Sequence, residues 1–327
     1  MLLKDKIVLV TGGTGSFGKS FVKELLARDE IKKLLVFSRD ELKQFEMQSE
    51  INSSKLEYIL GDVRDFQRLK QVTEGVDVIV HAAAIKQIAA AEYNPMEAIK
   101  TNIIGAENIV NVAIENKVSR VIALSSDKAA NPANLYGATK LCSDKLMVAG
   151  NLLSGSKNVR FSVVRYGNVI GSRGSVIPFF REHALRGFLP ITDENMTRFW
   201  LTISEAVQFV LDSLSNMQGG EIFIPKIPSF KVIDVAKIVS PNLPIKIIGI
   251  RPGEKLHEVM ITEDDSDYTR EFENYYVILP PFLVSSDYYK TKGTKVPQGF
   301  YFSSQNNNKW YTLDAFKEVL IRANLLS

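Results

Sequence analysis

Two short segments near the middle of the chain carry side chains suited to acid–base chemistry. Asp127 and Lys128 follow directly on Ser126, and Tyr136 and Lys140 come shortly afterwards. A tyrosine and a lysine at positions i and i+4 share one face of a helix. A lysine beside a phenol lowers the pKa of the tyrosine from about 10, so that Tyr136 can take a proton from a hydroxyl group. The spacing predicts a base on a helix, close to a second acid–base pair.

Neither pattern is specific by itself. A tyrosine and a lysine one turn apart are common on helix surfaces, and an aspartate next to a lysine is often only a surface ion pair. Their meaning depends on where the fold places them. Both become specific if they follow the fifth strand of a nucleotide-binding fold.

The elements around these residues indicate that fold. Short β-branched runs alternate with segments whose apolar residues recur three and four positions apart, and strands this apolar imply a parallel sheet covered on both faces. We predict strands at 6–10, 34–38, 56–60, 76–81, 118–124 and 161–165. Prolines interrupt the second half, where 204–216 still carries the apolar face of a helix.

The fold class predicted is therefore α/β, a Rossmann-like doubly wound parallel sheet with a smaller C-terminal α/β lobe. Residues 1–170 would form the dinucleotide-binding domain, joined by the helix at about 200–217. Residues 171–199 and 218–327 would form the substrate-binding lobe.

A glycine-rich turn supports a dinucleotide site. Gly12, Gly15 and Gly18 follow the first predicted strand and open the first helix, and such glycines let the backbone approach a pyrophosphate at the helix N-terminus. The spacing G-x-x-G-x-x-G is typical of short-chain dehydrogenases and reductases. A nicotinamide dinucleotide is the cofactor that we expect.

The end of the second strand favours NADP over NAD. The chain has Ser38 and Arg39 there, with Lys43 one turn later, and a guanidinium suits a 2′-phosphate. Asp40 leaves NAD open, because an NAD site places a carboxylate on the ribose. The candidate cofactor-binding residues are Gly12, Thr14, Gly15, Ser16, Phe17, Gly18, Ser38, Arg39, Lys43, Asp62, Val63, Ala82, Lys86, Tyr136, Lys140 and Val169.

Together these motifs resemble the extended short-chain dehydrogenase/reductase family. The Asp127-Lys128 pair, where related dehydratases usually have Asp-Glu, resembles a narrower group, the inverting UDP-N-acetylglucosamine 4,6-dehydratases that begin pseudaminic acid synthesis. The resemblance extends over 12–19, 38–44, 61–65, 91–95, 100–103, 127–145, 164–180, 191–200, 220–229, 246–260 and 303–310.

The departures from that group are mild. Ser126 stands where that group has a threonine and keeps the hydroxyl, whereas Gln87 and Ala89 stand where it has a histidine and a proline. A related capsule-type group lacks the helix tyrosine, so Tyr136 favours the pseudaminic branch.

The resemblance implies a reaction sequence. Tyr136, helped by Lys140 and Ser126, deprotonates the sugar 4-hydroxyl while a hydride moves to NADP, which stays tightly bound and is recycled. Lys128 then takes the C5 proton, which requires a pKa well below its free value, and a protonated Asp127 gives its proton to the departing 6-hydroxyl. The UDP-sugar would be bound by Lys86, Ser125, Ser126, Asn168, Arg173, Arg198, Arg251 and Glu254.

Composition restricts the remaining possibilities. A net charge of +3 from 40 basic and 37 acidic interspersed residues gives no stripe for nucleic acid. No apolar run reaches about 18 residues, and the single cysteine, Cys142, allows no internal disulfide, so we expect a cytoplasmic protein without membrane insertion. Cys142 is expected to be a packed residue. His81, His183 and His257 lack ligand spacing, which predicts no metal.

Two alternatives stay open. A nucleotide-sugar 4-epimerase or 4-keto reductase would use the same Tyr136 and Lys140 without losing water. A catalytically silent NADP sensor usually lacks one of those two side chains. The resemblance also implies a homo-oligomer, a dimer or higher, that pairs through helices at 103–116 and 136–150.

Overall fold

The structure, a computed structural model, describes residues 2–172 and 176–326. Its strands are β1 (Ile7–Thr11), β2 (Lys33–Ser38), β3 (Leu56–Leu60), β4 (Val78–His81), β5 (Arg120–Ser126), β6 (Arg160–Tyr166), β7 (Asn168–Val169), β8 (Leu189–Ile191), β9 (Thr197–Leu201), β10 (Ile222–Pro225), β11 (Ser229–Lys231), β12 (Ile245–Ile247), β13 (Val259–Ile261), β14 (Thr269–Glu271), β15 (Tyr275–Ile278), β16 (Thr294–Lys295) and β17 (Phe302–Ser303).

The α-helices alternate with the strands in the first half. They are α1 (Ser16–Arg28), α2 (Glu41–Glu50), α3 (Phe66–Val72), α4 (Ile88–Tyr93), α5 (Pro95–Ile99), α6 (Gly105–Glu115), α7 (Leu135–Ser154), α8 (Val176–Ala184), α9 (Ile203–Asn216), α10 (Val232–Val239), α11 (Pro281–Val284), α12 (Asp287–Thr291) and α13 (Leu313–Arg322). A π-helical stretch, Lys100–Ile104, leads into α6, and a 3₁₀ turn, Asp127–Ala129, follows β5.

The main sheet has the order β16-β14-β15-β10-β6-β5-β4-β1-β2-β3. Strands β3 to β10 in that order are parallel, and β15, β14 and β16 add an antiparallel edge. The order 3-2-1-4-5-6 within it is that of a doubly wound dinucleotide-binding sheet, so the predicted fold class is confirmed. The carboxyl ends of β1, β4 and β5 meet at one edge, which brings the glycine turn and the Asp127-Lys128 pair together.

Apolar residues explain why these strands are central. Val8, Leu9 and Val10 on β1 are fully buried, as are Ile79 and Val80 on β4. Side chains of this kind on both faces of a strand need helices on both sides, because a parallel sheet is covered on each face. The six predicted strands all form, with ends shifted by at most two residues.

A second, smaller apolar core lies in the C-terminal half. It gathers Ile177, Phe180, Trp200, Phe230 and Phe316 with their neighbours from β9, β11, α8, α10 and α13. Strands β7, β9 and β11 form its three-stranded sheet, and β8 pairs with β12. This smaller C-terminal lobe has its own core, as expected of a separate folding unit.

The predicted domain limits need one correction. The helix expected at 204–216 is α9, and it packs against α1 beside the main sheet. Residues 218–327, however, are divided between the lobes, because β10, β15, β14 and β16 extend the main sheet. Their buried aromatic residues, such as Phe223 and Tyr276, belong to the large core. Among the described residues, no helix is both long and apolar enough to span a membrane.

Candidate active site

A large cavity of about 1510 Å³ opens between the two lobes. Ordinary small-molecule pockets have about 300–1,000 Å³, so this cavity has room for two ligands of nucleotide size. Every candidate cofactor residue named from the sequence lines it. So do Ser125, Ser126, Lys128 and the substrate candidates Asn168, Arg198, Arg251 and Glu254. Arg173 lies outside the described residues.

The glycine turn forms a close-fitting cradle at the cavity wall. Gly12 has a φ of +66°, and a Cβ there would lie 2.8 Å from the backbone of Ala83. A Cβ on Gly18 would lie 2.4 Å from the carbonyl oxygen of Gly13. Only glycine fits both positions, and the N-terminus of α1 then lines the cavity. This arrangement can hold a pyrophosphate.

The residues at the end of β2 and after it differ in the polar groups that they could use to bind a ribose. The Asp40 carboxylate caps α2 by accepting the backbone N–H of Lys43, and it also pairs with the Lys43 ammonium. Gln44 fixes Ser38 by donating to its hydroxyl and its carbonyl, each at 3.0 Å. Arg39 is more than half exposed and lies 3.8 Å from Asp62. Asp40 is thus engaged with its own helix and with Lys43, and it lines the cavity together with Arg39 and Lys43.

Tyr136 and Lys140 lie on the first turns of α7, which begins at the capping residue Asn134. Both line the cavity, as their spacing predicts. Lys140 is buried, and its Nζ donates to the carbonyl oxygen of Leu124 at 2.6 Å. Burial lowers the pKa of Lys140, and Asp144 opposes this effect.

The predicted effect of lysine on the tyrosine is corrected by the structure. Burial raises the pKa of Tyr136 above its ordinary value, while Lys128 and a hydrogen bond with Ser126 oppose that rise. The cation that acts on the phenol is therefore Lys128. Sequence spacing alone could not show how strongly the site is desolvated.

Asp127 and Lys128 form a buried pair in the 3₁₀ turn after β5. The Asp127 Oδ1 atom accepts from Lys128 Nζ at 2.9 Å and from the Ser126 hydroxyl at 2.8 Å. Asp127 is fully buried, and its Oδ2 atom has no hydrogen-bond partner within residues 2–172 and 176–326. Burial raises the pKa of Asp127, which favours the protonated acid. Its side chain lies behind Lys128 and does not line the cavity.

A carboxylate that the sequence analysis missed completes this pair. Glu258 Oε1 lies 3.2 Å from Lys128 Nζ and 3.5 Å from Arg198 Nε. Burial acts to lower the pKa of Lys128, but Asp127 and Glu258 outweigh it, so the pKa is raised. This is opposite to the lowered value expected from the sequence. Glu258 belongs to no short motif, and only its place in the resembling segment 246–260 could have drawn attention to it.

Arg198, a predicted substrate ligand, is also bonded within the chain. Its guanidinium donates to the carbonyl oxygens of Thr197, Leu256 and Lys255 at 2.7 to 3.1 Å, besides its contact with Glu258. Most of the donors of Arg198 are thus used to hold the segment 251–258 in place. One Nη2 hydrogen of the five guanidinium donors has no partner among these contacts, and Arg198 lines the cavity, so its predicted contact with the substrate stays a prediction.

The other substrate candidates keep polar atoms at the cavity. Arg251 is half exposed, 3.8 Å from Glu254, and its guanidinium lies over the ring of Phe179. Asn168 Oδ1 and Glu254 Oε2 are buried without a hydrogen-bond partner in the part of the chain that the structure describes. Ser125 donates to Asp144 at 2.8 Å, and burial lowers the pKa of Lys86.

Two further sequence predictions concern cysteine and metal. Cys142 is exposed, so the expectation that it packs inside is wrong; it points away from the helix face that carries Tyr136 and Lys140 into the cavity. Across residues 2–172 and 176–326, no group of three or more His, Cys, Asp or Glu side chains is placed to hold a metal ion.

Comparisons with known proteins agree with this architecture. A family model described as "Polysaccharide biosynthesis protein" matches residues 8–280. A "UDP-N-acetylglucosamine 4,6-dehydratase (inverting)" of Campylobacter jejuni is 55% identical over 94% of this chain and 95% of its own length. A "UDP-glucose 4-epimerase" of Rickettsia prowazekii is 39% identical over 97% of this chain and 96% of its own. The solved structure of Pen from Bacillus thuringiensis has a TM-score of 0.91 at 34% identity and covers both chains fully.

Proposed function

Because the chain belongs to the polysaccharide biosynthesis protein family, we propose that it is a nucleotide-sugar 4,6-dehydratase, a hydro-lyase acting on UDP-N-acetylglucosamine with inversion at C5. The product would be UDP-2-acetamido-2,6-dideoxy-β-L-arabino-hexos-4-ulose. The observation that carries the proposal is the buried Asp127–Lys128 pair beside Tyr136. A 4-epimerase needs only a tyrosine, a lysine and a hydroxyl, whereas removal of water needs a further acid and base.

The residues present fit a nicotinamide dinucleotide, and we propose NADP. The cradle of Gly12 and Gly18 at the N-terminus of α1 suits the pyrophosphate. Arg39 and Lys43 would hold a 2′-phosphate, while Asp40 is occupied in capping α2. Bound in its oxidised form, the cofactor would supply a hydride acceptor and a positive charge that lowers the pKa of nearby bases.

The chain's own residues perform the proton transfers. Tyr136 acts as a phenolate, which its hydrogen bond with Ser126 stabilises; it takes the proton of the sugar 4-hydroxyl and becomes a phenol. Lys140 lies on the same helix face and is fixed by the Leu124 carbonyl oxygen. The 4-ketone makes the C5 proton acidic, and the Lys128 amine, which reaches the cavity, takes it.

The geometry of the Asp127–Lys128 pair restricts how the departing 6-hydroxyl can be protonated. The 6-hydroxyl leaves as water and needs a proton, which burial keeps on Asp127. Because the Asp127 carboxyl lies behind Lys128, we infer that its proton travels along the 2.9 Å hydrogen bond between the two side chains. Protonation of C5 from the opposite face would complete the inversion, and a bound nicotinamide would supply the hydride for C6, so that the reaction has no net redox change.

The biological setting is proposed from the resemblance. We expect the product to enter pseudaminic acid synthesis for surface or flagellin glycans. The resemblance also leads us to expect a homo-oligomer. We expect it in the cytoplasm, because the single free cysteine, Cys142, suits a reducing compartment.

The decisive experiment follows the reaction by NMR. The purified protein is incubated with UDP-N-acetylglucosamine in deuterated water, and formation of a 4-keto-6-deoxy sugar with inverted, deuterated C5 is the expected result. Retained water together with a change of configuration at C4 would instead establish an epimerase, the activity in the name of the Rickettsia relative. If neither loss of water nor a change at C4 is observed, both the dehydratase and the epimerase activity are refuted.

A further inference from the structure

Glu258 is a buried charged residue to which the reaction sequence above gives no role. It precedes β13 in the segment 251–258, and its side chain is 3% exposed. It lines the cavity, where its Oε1 atom faces Lys128 Nζ at 3.2 Å. Its Oε2 atom is buried without a hydrogen-bond partner among the described residues. A buried carboxylate in this state is costly unless its charge is used.

The backbone around Glu258 is rigid. Its N–H donates to the Ser304 hydroxyl at 2.9 Å, and its carbonyl oxygen accepts from the Ser304 N–H at 2.8 Å. The Ser304 hydroxyl is itself bonded to Thr197. The carboxylate is therefore presented to Lys128 at a fixed place, from the segment 251–258.

The Lys128 ammonium thus lies between two carboxyl groups, one from each side. Asp127 contacts it at 2.9 Å from the 3₁₀ turn after β5, and Glu258 contacts it from the segment before β13. The other charged or titratable groups that act on this cluster are Tyr136, Arg198 and Lys255.

We propose that Glu258 is a positioning residue, which fixes the Lys128 ammonium at the cavity wall and keeps Asp127 protonated. This inference rests on the proposed function, since it explains how the dehydrating acid is kept protonated and where the Lys128 side chain is held.

The physical reason is that two neighbouring carboxyl groups do not both ionise easily. Burial opposes ionisation of Glu258, but Lys128, Arg198 and Lys255 outweigh it, so its pKa is lowered. Burial raises the pKa of Asp127, and the Glu258 charge acts in the same direction. Of the two carboxyl groups, Glu258 is thus ionised and Asp127 protonated. The same separation is found where two carboxyl groups divide the roles of acid and base.

The direct test is a carboxyl titration that needs no substrate. The protein is labelled with [4-¹³C]aspartate, and the Asp127 signal is identified by its loss in Asp127→Asn. In the wild type we expect Asp127 to stay protonated to a higher pH than in Glu258→Gln, by more than about half a pH unit. A smaller or opposite difference overturns the proposal, as does an Asp127 that is ionised throughout in the wild type.

Kinetics provide the second test. Glu258→Gln is expected to lower kcat for dehydration at least about tenfold with KM within about threefold, because the charge acts on the catalytic pair and not on binding. Glu258→Asp keeps the charge and should recover part of the loss. If Glu258→Gln does not fold, the Asp127 titration in Glu258→Asp is compared with that in the wild type. We then expect a smaller downward shift of the titration of Asp127, and no shift contradicts the proposal. An unchanged kcat, or a rise in KM alone, contradicts the inference.

Glu221 offers a matched control. It is fully buried away from the cavity and accepts hydrogen bonds from Ser162 and Tyr289. Glu221→Gln should lower stability without moving the Asp127 titration, so an equal shift in both variants also overturns the proposal. If the wild type makes no 4-keto-6-deoxy product, the proposed function fails independently of the titration.

Discussion

A buried ion pair under the active-site helix allows a quantitative prediction. Arg165 Nη2 on β6 lies 3.2 Å from Asp144 Oδ2 on α7, and the two side chains are only 3% and 1% exposed. Asp144 also accepts from Ser125, and Arg165 Nη1 donates to the carbonyl oxygen of Met260. The pair joins the helix that carries Tyr136 to two neighbouring strands.

We predict that Asp144→Asn destabilises the protein strongly. At an effective dielectric constant of about 20, two charges 3.2 Å apart attract by about 5 kcal/mol. Removing one partner of a buried pair leaves the other charge uncompensated and costs about 3–5 kcal/mol. At roughly 2–4 °C per kcal/mol for a chain somewhat smaller than this one, the expected fall in Tm is about 5–15 °C.

The assay is a double-mutant cycle measured by urea unfolding. Arg165→Met should also be costly, but the double variant should be more stable than the sum of the two losses predicts, by about 1–3 kcal/mol, because no buried charge remains. Glu24→Gln breaks the exposed pair with Arg28 and should cost below about 1 kcal/mol. The reasoning is refuted if Asp144→Asn costs no more than Glu24→Gln, or if the two buried changes are additive.

Three further predictions concern the site itself. Lys128→Ala should abolish loss of water while NADP binding, followed by fluorescence, changes less than about threefold, because the amine acts on C5 and not on the cofactor. Arg39→Ala should weaken NADP binding at least about tenfold and NAD binding little, since a charge-assisted bond to the 2′-phosphate is lost. His81 is fully buried, and burial, with Lys140, lowers its pKa to about 3. Because that value lies below the unfolded one of about 6.5, its contribution to stability is complete above about pH 6.5 and is lost as the pH falls towards 3.

Each of these has its own control. Lys145 is exposed on α7, so Lys145→Ala should leave turnover unchanged. If it also lowers turnover, the effect of Lys128→Ala is not specific to Lys128. Equal losses of NADP and NAD affinity in Arg39→Ala would refute the 2′-phosphate assignment. The decline of Tm with falling pH should be shallower in His81→Gln than in the wild type, and unchanged in His183→Gln, which alters a partly exposed site. Identical slopes in all three proteins would contradict the His81 account.

Local pattern was sufficient for six of the ten strands of the main sheet and for the cofactor cradle. The strands are continuous apolar runs, so their existence follows from residues such as Val8 and Ile79, and the glycine turn has a strict steric requirement at Gly12. The edge strands were missed because β14 and β16 are short and mostly polar, and their pairing depends on contacts distant in sequence.

Electrostatics at the site could not be obtained from spacing. Burial raises the pKa of Tyr136, whereas the pKa of Lys128 is raised by Asp127 and by Glu258, which only the folded chain brings to the end of β5. The role of Asp40 as a helix cap was likewise hidden, because the same Ser-Arg-Asp sequence can turn its carboxylate towards a ribose or towards its own helix.

The contacts of the segment 251–258 restrict which segments can be exchanged between related proteins in a chimera. Asn134 caps α7 and also donates to the Gly253 carbonyl oxygen at 2.8 Å, and Lys255 donates to the Ala130 carbonyl oxygen at the same distance. With the Lys128–Glu258 contact, these bonds fasten the segment 251–258 to the turn between β5 and α7. A chimera that takes its C-terminal lobe from one parent and its main sheet from another would separate these partners. The natural crossover unit is therefore 126–136 inherited together with 251–258, so that altered sugar preference and altered chemistry are acquired jointly.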